Sequence, residues 1–457
     1  MSERLQNAVA ISETGGRLPV VNGESDRAKP TVRFLSAERE WNAPLVQEAW
    51  HQLLTETTNP NALFSTPEWF ENKHKTKHEE LRVAVVKNGA KITAIAPILL
   101  GQQEFDLKLC RMRFKTAQLL GGEGLTQRQE VYEPLFKAIF QTFDVAAIHF
   151  RLLPTESPCW RAVQSSWAGF VHVHEQFKRY IVDLPQSFDE YLAARFDSKH
   201  RGNLKRRVKL LREQGEHRLW RCSACTASPE CARLREKGEL RLQRISAPED
   251  VPEFLRAGGQ VAQASWQAAK ADYLIKETPA WKAHLTDLAK RGLLRSYLLW
   301  CGPRPCAYKL GFQGSGYYYG SSTGYDQSMA KFSPGTVILL LTIEDLIQHN
   351  HPGKLNFGEG EDEYKREFAT QAVEVANVTM LRPSILGTLR VAGFETYRFL
   401  KYVRRRKKDW AEKARDSFSK RWRMGRSKGK IHVARLGQRG CGYLSERMRI
   451  ARIGKRV

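Results

Sequence analysis

The stretch 293–365 reads LLRSYLLWCGPRPCAYKLGFQGSGYYYGSSTGYDQSMAKFSPGTVILLLTIEDLIQHNHPGKLNFGEGEDEYK. Leu293–Leu299, Cys306–Phe312 and Tyr317–Ser321 are short apolar and aromatic runs. Gly302-Pro303 and Gly314-Ser315-Gly316 part them, as tight turns part strands. Ser333-Pro334-Gly335 then opens a helix over Thr336–Gln348, and Asn350, Pro352 and Gly353 close it. A last strand, Leu355–Phe357, leads into the loop Gly358-Glu359-Gly360-Glu361-Asp362-Glu363-Tyr364-Lys365. Strand, turn, helix, strand and loop in this order predict a mixed α/β (α+β) fold. The free N–H groups at the start of such a helix suit an anion, with Gly335 allowing close approach and Lys331 nearby. Pro and Gly also begin ordinary helices, so both readings stand at this point.

Upstream, Ser187-Phe188-Asp189-Glu190 forms a capping box. It predicts a helix to about Gly215 with Phe188, Leu192, Phe196, Leu204, Val208 and Leu211 on one buried face. Gly202 and Asn203 are its weak point. The remaining surface is basic: Arg195, Lys199, Arg201, Lys205, Arg206, Arg207, Lys209 and Arg212 against Asp197. Such a face binds phosphate or acid groups, or is simply solvated. Further back, the first domain starts near Thr31. Asn59-Pro60 makes a turn, and Ser65-Thr66-Pro67 caps a helix containing Trp69 and Phe70. Leu81–Lys87 and Ile92–Leu100 are strands joined through Asn88-Gly89, a strong hairpin signal. A helix around Tyr132–Phe140 precedes a strand at Ala146–Leu152.

The 457 residues call for two or three domains, and with 42% hydrophobic and 27% charged residues they have the composition of an ordinary globular protein. Neither a signal-peptide core nor an apolar run of membrane-spanning length is present, which points to the cytoplasm. The eight cysteines then read as reduced thiols. Net charge is +25, unevenly spread: residues 401–457 hold 21 Lys+Arg against 4 Asp+Glu, net +17, leaving +8 for the rest. That tail fits a polyanion such as an anionic membrane surface, or a solvated, poorly ordered end. Leading into it, 384–410 has a helical pattern (Ile385, Leu386, Leu389, Phe394, Tyr397, Leu400) running into Arg404–Lys408, with Trp410 and Trp422 among the charges. Residues 1–29 lack periodicity and read as a disordered lead-in.

Several motifs taken together resemble a known family: Ser265-Trp266, Gly292-Leu293-Leu294-Arg295, Tyr325-Asp326, Ser333-Pro334-Gly335 and Gly358-x-Gly360-Glu361-x-x-Tyr364-Lys365. Phe64-Ser65-Thr66-Pro67-x-Trp69 and Ala94-Ile95-Ala96-Pro97 fit as well. In order and spacing, over about residues 60–370, they resemble the CelD/BcsL-like acetyltransferases of cellulose biosynthesis. That family belongs to the GNAT superfamily and is related to the FemAB transferases. The chain departs from its pattern at Asn356 and Glu361, where the family tends to carry acidic and Asp residues, and it lacks the general GNAT pyrophosphate loop.

The resemblance implies tandem GNAT-like (Fem-like) domains at 30–180 and 181–383, followed by a basic, partly helical extension at 384–457. It implies acyl transfer from acyl-CoA to an amine or hydroxyl of a sugar, lipid or polysaccharide precursor, without a metal. Lys331, Ser333, Pro334, Gly335 and Thr336 are then the donor-binding candidates, and Lys199, Arg201, Trp266 and Tyr325 the acceptor candidates. Thioester aminolysis or alcoholysis needs a base, oxyanion donors and an acid for the thiolate. Glu361 or Glu359 is the candidate base, Tyr364 the acid or oxyanion donor, and Lys365 the anion holder. An aminoacyl-tRNA-dependent, Fem-like transferase is the alternative, with the basic helix as the nucleic-acid contact. A non-catalytic polyanion-binding protein is the other.

Three further patterns point elsewhere. Gly320-x-Ser322-x-Gly324 matches a serine-hydrolase elbow, but no helix follows it directly. Cys222, Cys225 and Cys231 with His217 offer four zinc ligands at spacings unlike paired knuckles. Tyr317-Tyr318-Tyr319 cannot form one stacking platform, because consecutive strand residues alternate faces.

Overall fold

In the computed structural model of the protein, residues 30–77, 80–107, 110–166, 169–220, 240–265 and 275–383 are described. The chain divides into two compact units, Met1–Pro383 and Ser384–Val457, and every described residue belongs to the first. The lead-in, Trp266, the Cys222/Cys225/Cys231 group and the basic extension lie outside the described residues.

The elements of the first half are β1 (Thr31–Leu35), α1 (Glu38–Trp41), α2 (Pro44–Glu56), α3 (Pro67–Lys77), β2 (Glu80–Asn88), β3 (Lys91–Leu107), β4 (Cys110–Leu119), α4 (Tyr132–Phe143), β5 (Ala147–Pro154), α5 (Pro158–Ser165) and β6 (Phe170–Asp183). Those of the second are α6 (Phe188–Arg195), α7 (Ser198–Trp220), β7 (Leu240–Ile245), α8 (Val251–Gln263), α9 (Pro279–Lys290), β8 (Ser296–Cys301), β9 (Arg304–Gly314), β10 (Tyr317–Tyr325), α10 (Pro334–Gln348), β11 (Lys354–Asn356), α11 (Glu363–Phe368) and β12 (Gln371–Leu381). The fold is mixed α/β, as the sequence predicts. The strands form one sheet in the order β1-β2-β3-β4-β5-β12-β6-β11-β10-β9-β8-β7, antiparallel except at β4–β5 and β10–β11.

Helices cover both faces. In the first half α4 and α5 bury Tyr132, Phe136 and Cys159 against one face, while α2 and α3 bury Trp50 and Phe70 against the other. In the second half α6, α7 and α10 cover one face, and α8 and α9 the other. Each fully buried large side chain contributes roughly 1.5–3 kcal/mol, so these four clusters hold the layers together. The halves also interlock. β12, from the end of the described chain, lies between β5 and β6, and the expected 180/181 boundary falls inside β6. Arg291, directly after α9, pairs with Glu71 of α3 at 2.8 Å, and Asn72 donates to Asp287 at 2.9 Å.

Most local expectations are met. Thr66 Oγ1 accepts the Trp69 N–H at 3.2 Å and caps α3. β2 and β3 form a hairpin, with Asn88 paired to Lys91 and Gly89-Ala90 as the two-residue loop, so the turn sits one residue later than Asn88-Gly89. Tyr318 and Tyr319 do face opposite sides, each in a different cluster. The Gly320–Gly324 segment lies within β10, as a strand rather than an elbow.

The long basic helix needs correction. It breaks at Phe196, whose extended backbone ends α6, and not at Gly202-Asn203. Asp197 accepts the His200 N–H at 2.6 Å and starts α7 afresh, which runs past Gly215 to Trp220. The break lets Phe196 pack on Phe368, with ring centroids 5.2 Å apart. Of the capping box only one half forms: Ser187 Oγ accepts the Glu190 N–H at 3.2 Å.

Candidate active site

Parallel pairing of β10 with β11 lasts three residues and ends at Tyr319↔Asn356. Just beyond it β10 bulges between Gly320 and Ser322, the bulge being defined against β9. Gly358 crosses β10 so closely that a Cβ there would stand 2.5 Å from the Gly320 carbonyl oxygen. With φ at +74° as well, the position calls for glycine. From here the chains part. β10 continues with β9 to Tyr325, while the loop after Gly358 turns toward β6, where Glu361 Oε1 accepts the Lys178 N–H at 2.6 Å.

A cavity of about 840 Å³ opens at this divergence, walled by Tyr319, Ser321, Ser322, Glu359, Gly360 and Glu361 from the second half, and by Arg151 and Glu175 from the first. A second, of about 390 Å³, shares Arg151, Tyr319 and Glu359 with it. Glu359 is ion-paired to Arg151 at 3.0 Å, so this pair stands in the walls of both. The candidate base, Glu361 or Glu359, is therefore at the cavity in either version.

Lys365 is placed otherwise than expected. It is buried, and its Nζ donates to the carbonyls of Glu359 and of Gly360 (3.3 Å) and pairs with Asp362 at 3.1 Å. It staples the glutamate loop, and its ammonium is committed to that loop. Tyr364 packs edge-on to Phe357, with centroids 6.1 Å apart, and keeps 38% of its surface exposed. Desolvation, and then the Asp362 charge, push its phenol above the usual range, so it stays protonated and able to donate.

The donor-binding candidates gather at the far end of β10. Ser333 adopts φ +54° and makes no side-chain cap; its N–H donates to Ala330 O, and its carbonyl accepts the N–H groups of Thr336 (3.0 Å) and Val337 (3.1 Å). Pro334 has no N–H to give. Gly335 lies against the Tyr325 ring, where a Cβ would meet a ring carbon at 3.0 Å. Lys331 sits over the Phe332 ring at 4.8 Å. Thr336 Oγ1 accepts from Arg207 of α7 at 3.3 Å, so the basic helix reaches the start of α10. Tyr325 thus belongs with this end. Lys199 is exposed on α7, Arg201 folds back to the Phe196 carbonyl at 3.0 Å, and neither lines the cavity.

Sequence reasoning passed over three groups. Arg179, on β6, is fully buried between Asn61 and Asn356, under the Tyr319 ring at 5.3 Å, and its Nε has no hydrogen-bond partner. Burial draws its guanidinium below its ordinary value, opposed by Tyr319 and Glu359. Arg151 is the partner of Glu359 described above. Lys309, 3% exposed on β9, lies beneath the bulge, and burial followed by the Lys365 charge brings its amine down to about 7. A lone lysine in the otherwise uncharged run Pro305–Gly314 was the available signal for it.

Residues 226–366 match the family model described as an acetyltransferase (GNAT) domain. Among solved structures the chain is similar to FemX, at 10% identity over 72% of this chain and 95% of that one, TM-score 0.49. It is also similar to a tandem GNAT protein from the clavulanic acid biosynthesis pathway (13%, 78% and 100%, TM-score 0.43) and to L-PGS from Bacillus licheniformis (12%, 71% and 95%, TM-score 0.41). No curated protein matches the chain. No helix among the described residues is long and apolar enough to cross a membrane. Over residues 226–366, from ahead of β7 to within α11, the chain carries a GNAT-type acetyltransferase domain, and it is an enzyme of the acyltransferase class.

Proposed function

We propose that the protein moves an acyl group, acetyl first of all, from acyl-CoA to an amine or hydroxyl of a sugar, lipid or polysaccharide precursor, in the manner of the CelD/BcsL-like family it resembles. The observation that carries this reading is the divergence of β10 from β11, with a glutamate-walled cavity at its apex and the start of α10 at its far end. From Gly320 to Tyr325 β10 spans about 17 Å at ~3.3 Å per residue, comparable with an extended pantetheine arm. At the α10 end the Gly335 N–H is free of intrachain acceptors among the described residues, and Arg207 and Lys331 supply positive charge for phosphate. At the apex Glu361 or Glu359 would take the acceptor's proton, and Tyr364 would donate to the leaving thiolate or the oxyanion. Lys365 holds their loop in place. The proposal includes two GNAT-like lobes, 30–180 and 181–383, supported by the matching two-faced helix layers of each half. It also includes a cytoplasmic location with the basic extension at the inner membrane face.

The exposed basic face of α7 (Lys199, Lys205, Arg206, Lys209, Arg212) favours a second reading, a Fem-like transferase fed by aminoacyl-tRNA. Thermal-shift titration separates them. Saturable stabilisation by acetyl-CoA supports the first reading, and tRNA binding with a steep salt dependence supports the second. A protein that responds to neither donor is a polyanion-binding module.

A further inference from the structure

Lys309 is the only charged residue between Pro305 and Gly314. Its Nζ donates to Thr323 Oγ1 on β10 at 3.3 Å. It reaches the apex of the divergence: a Cβ built on Gly320 would lie 3.2 Å from Nζ and 3.5 Å from the Asn356 carbonyl oxygen. On β8 the residue paired with it is Tyr297, whose hydroxyl is engaged by Asp345 and Arg295. From α11 it feels Lys365, which already uses the Glu359 and Gly360 carbonyls and Asp362. Arg179, bonded to two neutral amides, is a further cation of this region, and the Glu359 charge acts on it. No carboxylate among the described residues stands within ion-pair distance of Lys309. A buried amine so placed sheds its proton readily and regains it when an anion arrives.

Resting on the acyltransferase reading above, we propose that Lys309 takes up a proton when the acyl donor occupies the gap between β10 and β11, so that its ammonium supports the oxyanion formed at the thioester carbonyl. The proton comes from solvent, and Lys309 itself forms no bond to carbon. Its role is distinct from that of the glutamates, which receive the acceptor's proton.

Calorimetry of acetyl-CoA binding to the full chain at pH 7.5, in two buffers of different ionisation enthalpy, counts the protons. Titration from about 7 upward corresponds to roughly three-quarters of a proton taken up per donor bound. K309M should bind with uptake near zero and turn over roughly 10²-fold more slowly, as when an oxyanion donor is removed. Donor binding by the native chain without uptake, a count that needs no variant, overturns the role of Lys309 and leaves the acyltransferase reading standing. Equal uptake by K309M and the native chain does the same. Failure of the native chain to bind acetyl-CoA at all overturns the functional reading, and this inference with it.

Discussion

Arg179 on β6 donates through Nη2 to Asn356 Oδ1 on β11 at 2.9 Å, with both side chains fully buried. Asn356 in turn donates to the Pro60 carbonyl at 2.9 Å and accepts the Gly358 N–H at 3.0 Å, while Arg179 Nη1 donates to Asn61. One amide therefore ties the 60–61 turn, the central sheet and the start of the glutamate loop around a buried cation. Replacing Asn356 by Ala strands that cation and should cost about 3 kcal/mol by chemical denaturation. N356D supplies a carboxylate to Arg179 but loses the donor to the Pro60 carbonyl, so it should cost less than N356A. A harmless N356A would show that the network contributes nothing.

Gly335→Asp should weaken acetyl-CoA binding at least tenfold. It brings a Cβ to 3.0 Å from the Tyr325 ring and sets a negative charge where the donor's phosphates are to approach. Gly335→Ala separates the two effects, since it keeps the crowding and omits the charge. Equal affinity in folded G335D and native protein removes the phosphate site from the start of α10.

Glu361→Gln and Tyr364→Phe preserve shape while removing a proton-transfer group, so each should lower kcat roughly 10²-fold or more with donor affinity little changed. Both side chains are exposed or partly exposed, and the variants should fold normally. Native turnover in both would leave the loop a structural element.

Glu123 is buried beside Ser157, Tyr132 and Cys159, and its Oε2 has no hydrogen-bond partner. Desolvation raises its carboxyl from 4.5 to about 7. The folded state thus holds this proton more tightly than the unfolded chain. Its contribution to stability is fully present below pH 4.5 and is lost as pH rises through 7. E123Q should therefore be more stable than the native protein at pH 8, by about 3 kcal/mol, with the advantage vanishing at pH 4. Parallel denaturation curves at the two pH values check this, and an unchanged difference rules it out.

Deleting residues 401–457, which carry net +17, should leave acetyl-CoA binding intact and abolish sedimentation with anionic vesicles at low salt. If the full chain ignores such vesicles, the basic extension has another use.

Much of the fold is written in short-range signals. The Asn-Gly hairpin, the Thr66-Pro67 helix start and the Ser333-Pro334 start of α10 depend on turn and cap chemistry within a few residues, and they appear within one residue of where the sequence predicts them. Helix α7 shows the limit of such signals. Gly215 reads as a stop, yet the helix continues to Trp220, while an extended Phe196 breaks it earlier because burial against Phe368 outweighs helix propensity. Likewise β12 lies between strands some 190 to 234 positions away in sequence, and no local pattern specifies that pairing.

The candidate site divides along the same line. The sequence by itself determined the residue types of the glutamate loop, the helix start after Ser333, and the basic faces, since each is a property of adjacent residues. Only the tertiary structure decided their roles. It sets Glu359 against Arg151 from the other half, spends the Lys365 ammonium on its own loop, brings Arg207 to Thr336, and buries Lys309 and Arg179 without carboxylate partners. Charge and hydrogen-bonding capacity are legible residue by residue. Desolvation and pairing depend on what the folded sheet places opposite, and that is a property of the whole chain.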